Sequence, residues 1–81
     1  MAGTLERLTD TIARRRVDDP AASYVARLAR QGRGTMARKL GEEAVEAVVA
    51  ALEDDREALV KESADLIFHL MALLADLGLG I

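Results

Sequence analysis

The chain of 81 residues has no cysteine, no tryptophan, one histidine and one proline, and only 2% of it is aromatic. The missing cysteines exclude a disulfide framework and fit a reducing compartment. With one histidine and no thiol, no nucleophilic triad can be assembled. No apolar run is long enough to cross a bilayer and no basic leader precedes an apolar core, so a soluble cytoplasmic protein without a membrane partner is expected. Glycine is too sparse around Gly32-Arg33-Gly34 to form a Walker-type phosphate loop. The basic run Arg14-Arg15-Arg16 ends a predicted helix, where positive charge complements the helix dipole, and the formal net charge is -3. We read it as solvated surface, with no nucleic-acid partner.

What is present is helix-forming: 51% of residues are hydrophobic, and Ala, Leu, Arg and Glu are abundant. The chain is read as all-α, a single domain over 1–81. A core this thin commonly needs help from oligomerisation, and a homodimer or higher homo-oligomer is expected. Thr4 is placed as the cap of a first helix running to about Arg16, with Leu5, Leu8, Ile12 and Ala13 on its apolar side. Asp19 is placed as the N-cap and Pro20 as the first residue of a short second helix ending at Gly32. A loop is expected at Arg33-Gly34-Thr35, then a third helix from about Met36 to Glu53. Asp54, with Glu57, is assigned as the cap of a fourth helix that continues to Gly78.

Four acids form two matched pairs in the last two helices. Glu43 and Glu46 have i, i+3 spacing, and so do Glu62 and Asp65, which puts each pair on one side of its helix. Counted outward from Asp54, Glu46 and Glu62 lie equally far along their helices, and so do Glu43 and Asp65. An antiparallel hairpin would bring the pairs level with one another and form a carboxylate cage for a hard divalent cation.

On a helical wheel, Ala44, Val45, Val48, Val49 and Leu52 form the expected core stripe of the third helix. The fourth is apolar over most of its circumference from Leu66 to Leu77, interrupted by His69 and Asp76. Such a helix is expected to be buried on more than one side, in part against a second subunit. Glu62, Asp65 and His69 share one polar strip of it, where unpaired carboxylates would be costly, so a cation or basic partner is expected.

The segments Lys39-Leu40-Gly41-Glu42-Glu43-Ala44-Val45-Glu46 and Glu62-Ser63-Ala64-Asp65-Leu66-Ile67-Phe68-His69-Leu70, with the pair Ser23-Tyr24 ahead of them, resemble the phosphoribosyl-ATP pyrophosphohydrolases. These are small enzymes of histidine biosynthesis within the MazG-like all-α nucleotide pyrophosphohydrolases. The resemblance implies a four-helix MazG-like domain assembling as a dimer-based bundle. It also implies hydrolysis of phosphoribosyl-ATP to phosphoribosyl-AMP and pyrophosphate, with Mg²⁺ held by Glu43, Glu46, Glu62 and Asp65. Glu42 or Glu46 would serve as general base. Lys39 would contact a phosphate, and Arg33 or Arg38 a phosphate or the phosphoribosyl group, unless Lys39 merely pairs with Glu43. Ser23 and Tyr24 either bind substrate or cap and pack the second helix. His69, one turn beyond Asp65, either hydrogen-bonds that carboxylate to hold its rotamer or is a satisfied core residue.

Relatives in that family usually continue through further helix after the point where this sequence stops, and no fused domain for the next pathway step is present. A stand-alone version is therefore expected. The competing readings are a house-cleaning pyrophosphohydrolase for a triphosphate such as dUTP, and a non-catalytic helical oligomerisation module.

Overall fold

The structure, a computed structural model, describes residues 3–80, and the all-α expectation holds across them. Four helices follow one another: α1 (Thr4–Arg15), α2 (Tyr24–Gln31), α3 (Arg33–Leu52) and α4 (Arg56–Asp76). α3 and α4 form the long antiparallel hairpin, α1 packs on α4, and α2 touches the other three helices. No helix among the described residues is long and apolar enough to cross a membrane.

The expected helix boundaries shift wherever two residues compete for one cap. At α1 the cap is Gly3, whose carbonyl already accepts the Arg7 amide at 3.0 Å, so Thr4 lies inside the helix. Asp19 nucleates only a turn: its carbonyl takes the amides of Ala22 (2.9 Å) and Ser23 (3.1 Å), and its carboxylate takes that of Ala21 at 3.0 Å. Ser23 then starts α2, its hydroxyl accepting from the Ala26 amide at 3.3 Å. The expected loop at residues 33–35 is helical. Gly32 takes the whole break by itself with a φ of 95°, a backbone value that glycine adopts without steric cost, and α3 begins at the next residue.

The turn between α3 and α4 is equally tight. The Asp55 amide bonds the Ala50 carbonyl at 3.0 Å and the Asp54 amide bonds that of Ala51 at 3.2 Å, the two bonds of a Schellman motif. Asp54 occupies the left-handed position at φ 55°. Asp55, the residue after it, is already the N-cap of α4, with its carboxylate accepting from the Ala58 amide at 3.1 Å. The cap expected at Asp54 thus falls one residue later, because Asp54 is occupied in ending α3. A second Schellman motif closes α4 at Asp76 through Leu79 to Leu74 (2.8 Å) and Gly78 to Ala75 (3.0 Å).

The core gathers at the open end of the hairpin. Ile12, Val25, Met71 and Ala75 form one cluster; Leu28, Met36 and Ala72 form another, and Phe68 packs against both. An ionic clamp secures the same end: Arg16 donates to the Ala75 carbonyl (2.6 Å) and to Asp76 (3.0 Å), and Arg33 donates to Asp76 at 2.8 Å. Toward the turn, α1 and α2 no longer cover the hairpin. The stripe assigned to the core of α3 is therefore exposed there, at 63% for Val45, 58% for Val48, 47% for Val49 and 83% for Leu52.

Candidate metal centre

The acids lie midway along the hairpin, between its packed end and its bare end. Because Asp54 and Asp55 leave no slack in the turn, α4 returns in the register that brings Glu62 opposite both Glu43 and Glu46. Carboxylate oxygens of Glu43, Glu62 and Asp65 converge so that all lie within 4.8 Å of one another. The Glu46 carboxyl stands outside this triplet but still meets Glu62. The side chains of Glu43 and Glu62 are only 19% and 14% exposed.

One oxygen on each of those two side chains, Glu43 Oε2 and Glu62 Oε2, is buried with no hydrogen-bond partner. Two ionised carboxylates cannot donate to each other, so either a proton or a cation must occupy the space between them. In the metal-free protein the proton answers. Burial, the contact with Glu62 and the charges of Asp65, Glu46 and Glu62 together push Glu43 up to about 7. Glu46 is raised as well, first by its contact with Glu62, whereas Glu62 is lowered, first by its contact with Glu46 and then by that with Glu43, the neighbours that take the proton in its place. The donor set is all oxygen, the preference of a hard divalent cation, and octahedral coordination at ~2.1 Å needs only a modest contraction of such a cluster.

Lys61, which sequence reasoning passed over, touches the cluster directly. Its Nζ lies 3.0 Å from Asp65 Oδ2 and 3.2 Å from Glu62 Oε1, contacts that hold it protonated. The sequence signal was there, since Lys61 and Asp65 are four apart on one helix. A groove of about 240 Å³ leads from Glu46 and Glu62 between the helices toward the turn, with Val45, Val49, Ala50 and Ala58 among its walls.

The remaining candidates sort by position. His69 is 7% exposed and its Nδ1 lies 2.9 Å from the backbone carbonyl of Asp65, instead of reaching that residue's carboxylate. The same nitrogen is 3.9 Å from Glu43 Oε1, and Nε2 is 2.9 Å from the Tyr24 hydroxyl. Ser23 is buried and its oxygen serves the α2 cap. Glu42 pairs with Arg38 at 3.6 Å on the outer surface, both side chains more than half exposed. Arg33 is drawn to Asp76 at the packed end of the hairpin. Among the described residues no ion pair joins Lys39 to Glu43, so the pairing weighed for Lys39 is not made.

The chain is 56% identical over 78 residues to the phosphoribosyl-ATP pyrophosphatase of Rhizorhabdus wittichii, covering 96% of this chain and 74% of that protein. It is 52% identical over 81 residues to the protein of the same name from Metallosphaera sedula, covering 100% of this chain and 87% of the other. The namesake from Novosphingobium aromaticivorans is 59% identical over 71 residues, 88% of this chain and 66% of that one. The family model for phosphoribosyl-ATP pyrophosphohydrolase matches residues 5–81, which takes in both acidic pairs and all four helices from the second residue of α1 onward. By its sequence, matched over residues 5–81, the chain belongs to the phosphoribosyl-ATP pyrophosphohydrolase family.

Proposed function

We infer that this protein hydrolyses phosphoribosyl-ATP to phosphoribosyl-AMP and pyrophosphate, the second step of histidine biosynthesis, with Mg²⁺ at the acidic cluster. The observation that carries the chemistry is the pair of buried, unpartnered oxygens on Glu43 and Glu62, two side chains whose carboxylates converge with that of Asp65. Glu43, Glu62 and Asp65 would hold the ion, and Glu46 would join them directly or through water. Bound there, Mg²⁺ would screen the charge of the triphosphate that repels an incoming water.

The products require the α–β anhydride bridge to break, with water supplying the new oxygen and losing a proton. Glu46 is the better placed of the two candidate bases. Its carboxyl is raised above the ordinary range by Glu62, which makes it a stronger proton acceptor once ionised, and it lies at the groove. Glu42 instead faces out toward Arg38. Lys39, one helical turn before Glu43, would meet phosphate groups of the substrate, whereas Arg38 would do so only by leaving its outward contact with Glu42. Arg33 would do so only with the donors that Asp76 leaves free.

The working unit is inferred to be a homodimer. Val45, Val48, Val49 and Leu52 have the i, i+3, i+4, i+7 spacing of a packing stripe, yet among the described residues they stay exposed. A second copy would bury them and complete the wall beside the acids.

The deciding assay is pyrophosphate release from phosphoribosyl-ATP and from a panel of ordinary and deoxy-nucleoside triphosphates, each with Mg²⁺ and with EDTA. Release from phosphoribosyl-ATP alone, abolished by EDTA, is expected. Preference for another triphosphate would move the protein to the house-cleaning branch, and no release from any would leave a non-catalytic module.

A further inference from the structure

Tyr24 lies far from the acids in sequence, and the residue is 42% exposed, but its hydroxyl reaches His69 Nε2 at 2.9 Å. The other ring nitrogen, Nδ1, lies 2.9 Å from the Asp65 carbonyl. A carbonyl oxygen only accepts, so Nδ1 must carry the hydrogen. In the neutral ring Nε2 is then bare and takes its hydrogen bond from the tyrosine. Phe68 packs edge-on against the imidazole, with ring centroids 5.3 Å apart, and the ring is almost sealed from solvent.

The opposite tautomer would be damaging here. It would turn a bare Nδ1 lone pair toward the Asp65 carbonyl and toward Glu43 Oε1, which is 3.9 Å away. Both oxygens would be repelled, and both belong to residues of the acidic triplet. The Asp65 carbonyl selects against that state from one side, and the Tyr24 hydroxyl, donating to the bare Nε2, supports the same tautomer from the other.

We propose that Tyr24 is a positioning residue for the acidic cluster. Its hydroxyl anchors the His69 ring at Nε2 and supports the Nδ1–H tautomer that the Asp65 carbonyl requires, and the ring so held keeps the Glu43 and Asp65 side of the cluster in its cation-accepting arrangement. This rests on the metal reading given above, and it assigns Tyr24 a task other than touching substrate.

The test compares wild type, Y24F, H69N and the double variant by ring-nitrogen NMR at pH 8 and by calorimetric titration with Mg²⁺ alone. Melting curves serve as the folding control. In wild type the ring carries the Nδ1–H signature. Y24F, which keeps the ring and loses only the hydroxyl, shows an Nε2 signal shifted by the loss of its hydrogen bond, with a weaker Nδ1–H preference, and binds Mg²⁺ more weakly by up to about tenfold. H69N keeps an N–H donor near the Nδ1 position, and adding Y24F to it costs nothing further, since Tyr24 acts through the histidine.

At saturating Mg²⁺ the Michaelis constant of Y24F for phosphoribosyl-ATP stays at the wild-type value. An Nε2–H signature in wild type, or unchanged Mg²⁺ binding in Y24F, overturns the proposal. So does an effect of Y24F seen only in the Michaelis constant, which would make Tyr24 a substrate contact. Wild type that takes up no Mg²⁺ overturns the metal reading as well, and does so before any substitution is made.

Discussion

Arg33 and Asp76, at the start of α3 and the end of α4, are joined by a hydrogen-bonded ion pair of 2.8 Å that closes the open end of the hairpin. Arg33, and with it Arg16, holds the Asp76 carboxyl below its usual range. The folded value lies below the unfolded one of about 3.9, so the stability this group contributes is complete above about pH 4 and is lost as pH falls through the depressed value. Asp76→Asn is expected to cost about 1–2 kcal/mol at neutral pH and to flatten the acid limb of a plot of Tm against pH. An unchanged acid limb would show that the clamp does not hold α1, α3 and α4 together.

Glu43 has the opposite sign. Its folded value of about 7 lies above the unfolded carboxylate value of about 4.3, so its contribution is full below the latter and lost as pH rises through the former. The metal-free protein should therefore lose Tm between about pH 5 and pH 7.5, and Mg²⁺ should restore it by replacing the proton. Glu62→Gln relieves the same repulsion. It should raise the metal-free Tm at pH 8, remove the response to Mg²⁺ and cut turnover by at least about 100-fold. Equal Tm with and without Mg²⁺ in wild type at pH 8 would count against the centre.

Lys61 makes a prediction of its own. As a cation already resting on Glu62 and Asp65, it competes with the metal for their lone pairs. Lys61→Met should tighten Mg²⁺ binding by about two- to fivefold, a range set by the weakness of exposed ion pairs. It should also lower the metal-free Tm at pH 8. Weaker Mg²⁺ binding in this variant would mean that the lysine preorganises the acids instead.

Val48 tests the assembly. A lysine there places a charge in the middle of the bare stripe without touching the packed core. The wild-type protein should sediment as a dimer at micromolar concentration, and Val48→Lys at the mass of one chain. A monomeric wild type would refute the inferred homodimer.

Asp54 tests the turn. A non-glycine residue at φ 55° carries a backbone cost that its neighbours must offset. Asp54→Gly should raise stability by about 0.5–1 kcal/mol with turnover unchanged, provided that the loss of the exposed contact with Arg56 is small. Thermal or urea denaturation reads this directly.

The register of the acids was legible because it depends only on helical rise and on where the chain turns, and Asp54-Asp55 marks the turn. The fate of the valine stripe was not legible. A stripe that packs within the chain and one that packs against a neighbour share the same period, and only the short reach of α1 and α2 distinguishes them. Capping was blurred wherever two competent residues stand close together, as at Asp19 and Ser23, or at Asp54 and Asp55. The tautomer of His69 lay outside any local pattern, because it depends on a tyrosine from another helix and on a backbone carbonyl.

The turn in which one aspartate ends α3 and the next begins α4 has a consequence for how this sequence can vary. Substitutions there alter stability by small amounts. A single inserted or deleted residue breaks the paired end-and-start of the two helices, changes the register in which α4 returns along α3, and carries Glu62 and Asp65 away from Glu43. The hairpin therefore tolerates changes of residue at this point but not changes of length, and a one-residue insertion after Asp54 should yield a chain that is still helical but has lost its response to divalent cations.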